Sequence, residues 1–253
     1  QPTTIFGPGS GAKTLVAQGI ALSIQSGLPL LSWRPVQGNV LYLDWEACYN
    51  DHNRRLWAIK KGMNIPLDVI FAYQSHFRPL IDVVESIRKT IEEQEIKMVI
   101  IDSQMAAMGR ATHGRPESDL AAEYYECLRS FQCSSLTVDH VNKTDWKNTS
   151  GETGPYGSVV KFNRSRLQWE VKKKQEPGND FIDLTLVHRK VNEGRYEPDQ
   201  GIHIEFVHVP EGKKDLQKII LTPLEVQTKA GREPTIADMC YAAIYDHGPQ
   251  SAQ

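Results

Sequence analysis

The chain of 253 residues is long enough to bury one large α/β core, and 40% hydrophobic with 24% charged residues is the composition of an ordinary globular protein, not of a disordered or fibrous one. A formal net charge of −2 excludes a uniformly basic surface of the kind that clamps a phosphate backbone, so any nucleic-acid contact has to be local, in a few loops or in a further segment. No run of about 18 apolar residues occurs and no signal peptide opens the chain, so no membrane span is expected and the compartment is read as cytoplasmic.

In chain order, Thr3–Phe6 reads as a strand and Lys13–Ser26 as a helix, with apolar residues at helical spacing. Asn39–Asp44 is a strand, Asp51–Lys61 a helix and Val69–Tyr73 a short strand. Pro79–Glu95 is an amphipathic helix, Met98–Asp102 a dense apolar strand of the fully buried kind, Ser118–Phe131 a helix and Ser135–Asp139 a strand. This alternation predicts a mostly parallel sheet flanked by helices. Beyond residue 157, Arg166–Lys172, Phe181–His188 and Ile202–His208 alternate apolar and polar residues, which predicts antiparallel strands with one wetted face. The polar stretches Gly109–Glu117 and Asn142–Gly157 are too long for ordinary connectors. The four cysteines, Cys48, Cys127, Cys133 and Cys240, contain no CxxC pair and are read as reduced, with core filling as their role.

The ends suggest that more chain belongs on either side. The first strand is already under way at Thr3, and Pro234–Gln253 reads as an amphipathic helix stopped at Gly248-Pro249. The expected division is a core over residues 1–229 and, from 230 to 253, the start of a helical segment of winged-helix type.

Gly7-Pro8-Gly9-Ser10-Gly11-Ala12-Lys13-Thr14 lies between a strand and a helix, the setting a phosphate-binding loop requires. Its glycines let successive backbone N–H groups turn toward a phosphate, the helix N-terminus adds positive potential, Lys13 neutralises the β- and γ-phosphates of ATP and Thr14 offers a hydroxyl to Mg2+. Ala12 departs from the pattern, because glycine usually precedes the lysine. Val99-Ile100-Ile101-Asp102 ends a buried strand in a carboxylate, the second expected partner of Mg2+. Leu43-Asp44-Trp45-Glu46 ends the strand after the first helix. This placement resembles that of the RecA-like ATPases, in which the carboxylate that polarises the attacking water stands at the end of this strand; with Ser103 after Asp102 unable to act as a base, the resemblance implies Glu46 as the first candidate and Asp44 as its competitor. His140 ends a strand on the same side, where a neutral imidazole could sense the γ-phosphate.

These blocks, with Arg54-Arg55-Leu56, Asp139-His140-Val141-Asn142-Lys143, Pro155-Tyr156-Gly157-Ser158, Asn163-Arg164-Ser165-Arg166, Trp169-Glu170 and His188-Arg189-Lys190-Val191-Asn192, resemble the RecA-like P-loop ATPases. The resemblance is to the plasmid replicative helicase type and to the "AAA family" ATPases of phages and mobile elements, over nearly the whole chain. It implies a RecA-like core, ATP hydrolysis with Mg2+, a hexameric ring with ATP at subunit interfaces, and a basic residue reaching the neighbouring site, for which Arg166, Arg189 and Lys190 are candidates in that order. It also implies that the two long polar stretches contact DNA. One holds Arg110, His113 and Arg115, the other Lys143, Trp146, Lys147 and Tyr156, and basic residues interleaved with aromatics suit single-stranded DNA. Two functions follow: a motor that moves on nucleic acid, and an ATP-dependent assembly or switch protein such as a helicase loader, mediator or defence ATPase.

Overall fold

The computed structural model describes residues 1–109, 116–141, 159–209 and 216–226. The basic residues of the two long polar stretches, Cys240 and the predicted helix Pro234–Gln253 lie outside these. Chain order is β1 (Pro2–Gly7), α1 (Lys13–Ser26), β2 (Asn39–Asp44), α2 (Tyr49–Gly62), β3 (Ala72–Ser75), α3 (Leu80–Glu93), β4 (Ile96–Asp102), α4 (Gln104–Met108), α5 (Glu117–Ser130), β5 (Ser134–His140), α6 (Val159–Arg164), β6 (Leu167–Lys174), β7 (Phe181–Val191), β8 (Gln200–His208) and β9 (Leu216–Leu224). Among the described residues no helix is long and apolar enough to cross a membrane.

The strands form one sheet in the order β3-β2-β4-β5-β1-β6-β7-β8-β9. From β3 to β6 every neighbouring pair is parallel, and β6 to β9 run antiparallel. Successive residues of a strand face opposite sides, so the continuous apolar runs of β2 and β4 feed two cores at once. Val40, Tyr42 and Ile100 join the layer of α1 and α2, whereas Leu41, Leu43, Val99 and Ile101 join the layer of α3 and α5. The antiparallel extension buries one face only. Ile182, Leu184 and Leu186 of β7, with Ile202 and Ile204 of β8, continue the first layer, and β9 packs against α2. There Gly62 faces the carbonyl of Ile219 so closely that any side chain would collide with it.

This order places the functional ends. β5 lies between β1 and β4, and the register sets Gly7 opposite His140, Asp102 opposite Val138 and Asp44 opposite Asp102. Parallel strands put all these C-terminal ends on one edge, where open α/β sheets bind ligands.

Several expectations shift. The third strand is Ala72–Ser75, not Val69–Tyr73, because Val69 closes a turn onto Pro66 while Ala72 to Ser75 pair with Leu41 to Asp44. β6, expected among antiparallel strands, is parallel to β1 on one side and antiparallel to β7 on the other, so it joins the two halves of the sheet. α4, α6 and β9 were not predicted. Cys127 is buried as expected and its thiol is pushed up to about 11 by burial, but Cys48 is exposed ahead of α2 and donates to Asp51.

Candidate functional site

The loop between β1 and α1 turns tightly. A side chain at Gly7 would meet the Val171 carbonyl of β6 at 2.6 Å, so glycine is required for that approach. Ala12 adopts a left-handed backbone with φ of 58°, the geometry that glycine usually serves. The methyl group costs about 1–2 kcal/mol there, partly offset by the extra freedom glycine has in the unfolded chain. Ala12→Gly is therefore expected to stabilise the protein by about 0.5–1 kcal/mol in urea denaturation; a loss of stability would contradict the assigned backbone.

Lys13 is 4% exposed, and its ammonium donates to the carbonyls of Gly7 at 3.0 Å and Pro8 at 2.7 Å, with His140 Nδ1 at 3.4 Å. Burial lowers its pKa, against the opposing pull of Asp102, Glu46 and Asp139. Lys173 of β6 also donates to the loop, at the Ser10 carbonyl.

Asp102 is nearly fully buried, which pushes its carboxyl up to about 6, although the hydroxyls of Thr14 and Tyr42 both favour the charged form. Tyr42 donates to Oδ2 at 2.9 Å, while Oδ1 is buried without a hydrogen-bond partner among the described residues. A buried carboxylate oxygen left without a donor, beside a threonine hydroxyl and a phosphate loop, fits Mg2+, which is held by one or two protein oxygens together with nucleotide phosphates. Thr14 and Asp102 would hold it.

Asp44 and Glu46 divide the work of the β2 end. Asp44 is 1% exposed; its Oδ1 accepts the backbone N–H groups of Glu46 and Ala47, both at 2.8 Å, and Oδ2 accepts the Tyr73 hydroxyl. Asp44 thus builds the turn that carries Glu46 outward. Glu46 lies at the cavity, where Oε1 accepts from the Ser103 hydroxyl and stands 3.3 Å from His140 Nε2. The His140 contact holds its carboxyl below the usual range despite partial burial.

Behind Asp44, His52 is buried against Tyr42 and Tyr73, with Nδ1 at 3.1 Å from the Gln18 amide. Burial lowers its pKa to about 4. The unfolded chain therefore binds this proton first, and the stabilisation from a neutral His52 is lost as the pH falls from 6.5 toward 4. Urea denaturation should show about 2 kcal/mol less stability at pH 5 than at pH 7 from this group, a loss removed in His52→Gln. The carboxylates raised by burial contribute with the opposite sign, so the wild-type minus variant difference isolates His52. Equal pH slopes in the two proteins would contradict the assignment.

Two cavities meet at Glu46 and His140. One of about 350 Å³ runs along the phosphate loop and Asp102 to Arg54, Arg55, Phe206 and Ile219. The other, about 720 Å³, lies between Trp45, Phe77, Met105 and Gly109. The structure thus gathers Gly7–Thr14, Glu46, Asp102 and His140. Within one chain it does not bring Arg166, Arg189 or Lys190 to them. Arg166 sits at the opposite end of the sheet, its N–H bonded to Pro2; Arg189 pairs with Glu170; and Lys190 donates to the carbonyls of Phe162, Asn163 and Ser165 at the end of α6. Sequence reasoning missed Tyr42, Lys173 and the apolar wall from β7 to β9. Tyr42 reads as core in an apolar strand, and no signal marks its hydroxyl.

A phosphate loop, a buried carboxylate two strands away across β5, and a glutamate at the next strand end define a RecA-like P-loop ATPase. The AAA domain family matches residues 1–145, more than half of the chain, and the protein belongs to that family. Among solved structures, a KaiC-like protein from the hyperthermophilic archaeon Pyrococcus horikoshii OT3 is similar at 13% identity with a TM-score of 0.58, covering 87% of this chain and 88% of that one, which shows the shared fold. No curated protein matches the sequence.

Proposed function

We propose that the protein is a ring-forming motor that hydrolyses Mg-ATP to move on or remodel single-stranded DNA, of the replicative helicase type found in plasmids and phages. In this reading the backbone of Gly7–Thr14 and Lys13 bind the phosphates, Thr14 and Asp102 hold Mg2+, Glu46 polarises the attacking water, and His140 reports the γ-phosphate. Mg2+ supplies charge neutralisation at the phosphates. Arg166, which no hydrogen bond of its own side chain ties down among the described residues, is the first candidate to reach a neighbouring subunit's site, ahead of Arg189 and Lys190.

The observation that supports a strand-coupled role is the larger cavity. Gly109, the last described residue before Arg110–Arg115, lines it together with Glu46 and His140, and His140 is followed after one residue by the stretch 142–158. The described residues that precede both stretches therefore lie at the edge that carries Glu46 and His140. The near-neutral charge favours a second reading, an ATP-dependent switch without processive movement.

ATPase assays with and without single-stranded DNA, run beside strand separation on a forked duplex, discriminate. The motor reading expects stimulation and ATP-dependent separation. ATP hydrolysis indifferent to DNA, with no strand separated, would reject it in favour of the switch.

A further inference from the structure

Lys161 of α6 is fully buried, and its ammonium lies 3.4 Å from Asp139 Oδ2 and 3.4 Å from Glu117 Oε1. Burying an ammonium costs several kcal/mol unless it is paired, and a well-packed apolar residue of similar volume is often no less stabilising. A buried ion pair is thus weak as a stability device, and its geometric consequence is more informative. Here the consequence is specific. Asp139 is itself fully buried, and its other oxygen accepts the backbone N–H of His140 at 2.9 Å. The His140 ring then stands between Lys13 at 3.4 Å and Glu46 at 3.3 Å. Glu117 is the first residue of α5, and Lys161 is the third of α6, so three elements distant in sequence converge on one cation next to the catalytic edge.

We propose that Lys161 is a positioning residue: by tying Asp139 of β5 to Glu117 of α5, it holds the His140 imidazole at its place between the phosphate-loop lysine and Glu46. The proposal rests on the reading of that edge as the hydrolytic site.

The test compares wild type, Lys161→Met and Lys161→Met/Asp139→Asn. In the single variant Asp139 is left as an uncompensated buried charge, and stability falls. In the double variant the charges of Lys161 and Asp139 are removed together and the introduced amide still accepts the His140 N–H, so among the described residues the tie to Glu117 is what the variant lacks. Stability should return to near wild type in the double variant, while the ¹⁵N resonances of the His140 imidazole, recorded without nucleotide, stay displaced. ATP turnover should stay roughly 10- to 100-fold below wild type with KM for ATP within about twofold, as expected for a misplaced group that does not bind substrate. Wild-type imidazole resonances in the double variant, or turnover recovered along with stability, would overturn the proposal and leave Lys161 a charge-compensating residue. If the wild-type protein hydrolyses no ATP, the functional reading fails, and the resonances still decide the positioning claim.

Discussion

Glu46→Gln is expected to lower ATP turnover by about 10²–10⁴-fold, which is the usual worth of general-base assistance and corresponds to roughly 3–5 kcal/mol of barrier. The substitution keeps the size of the side chain, and its amide oxygen can still accept from Ser103, but the charge that polarises water is gone. ATP affinity should hold or tighten, because a negative charge beside the γ-phosphate has been removed. Rapid-quench measurement of turnover, with ATP affinity measured on the same preparation, checks both halves. Asp44→Asn is the control. Asp44 is buried and spends its oxygens on the Glu46 and Ala47 N–H groups and on Tyr73, so its loss should act through the shape of the turn and lower stability as well as turnover. Turnover lost in a fully stable Asp44→Asn, with Glu46→Gln active, would transfer the base to Asp44.

Lys13→Ala should weaken ATP binding roughly 30- to 150-fold, the equivalent of about 2–3 kcal/mol for a charge-assisted contact to phosphate, and turnover should fall further. The lysine is more buried than a loop residue suggests, with its ammonium on the carbonyls of Gly7 and Pro8. Those carbonyls become accessible to water when the side chain is truncated, so the fold should survive with a near-wild-type melting curve. Calorimetric titration with ATP decides the matter; unchanged affinity would remove Gly7–Thr14 from the nucleotide site.

The parallel half of the fold was legible because its strands are fully buried. Runs such as Val99-Ile100-Ile101 suit a strand covered on both faces, and their side chains divide between the two cores. The grouping of the candidate residues was legible where a local pattern marks them, as in the phosphate loop and the strand ends at Glu46, Asp102 and His140, which line one cavity. What stayed hidden depends on contacts between distant segments. β9 was missed because Pro223 interrupts the pattern of Leu216–Leu224, yet β9 is an edge strand, where proline is tolerated. Val69–Tyr73 is the more β-prone stretch, but pairing to Leu41–Asp44 selects Ala72–Ser75 instead. Lys161 sits in Val-Val-Lys-Phe-Asn-Arg, where a lysine reads as solvated; only the approach of α5 and β5 buries it. Arg189 and Lys190 read as available cations until Glu170 and the α6 carbonyls claim them.

One Mg-ATP site, bounded by Lys13, Glu46 and Asp102, is expected to hydrolyse nucleotide. Phosphate release from ATP, followed for wild type with Mg2+, for wild type with a chelator and for Lys13→Ala with Mg2+, tests it most directly. Release is expected in the first case and none above background in the other two. Release that persists in the chelator or in Lys13→Ala would contradict it.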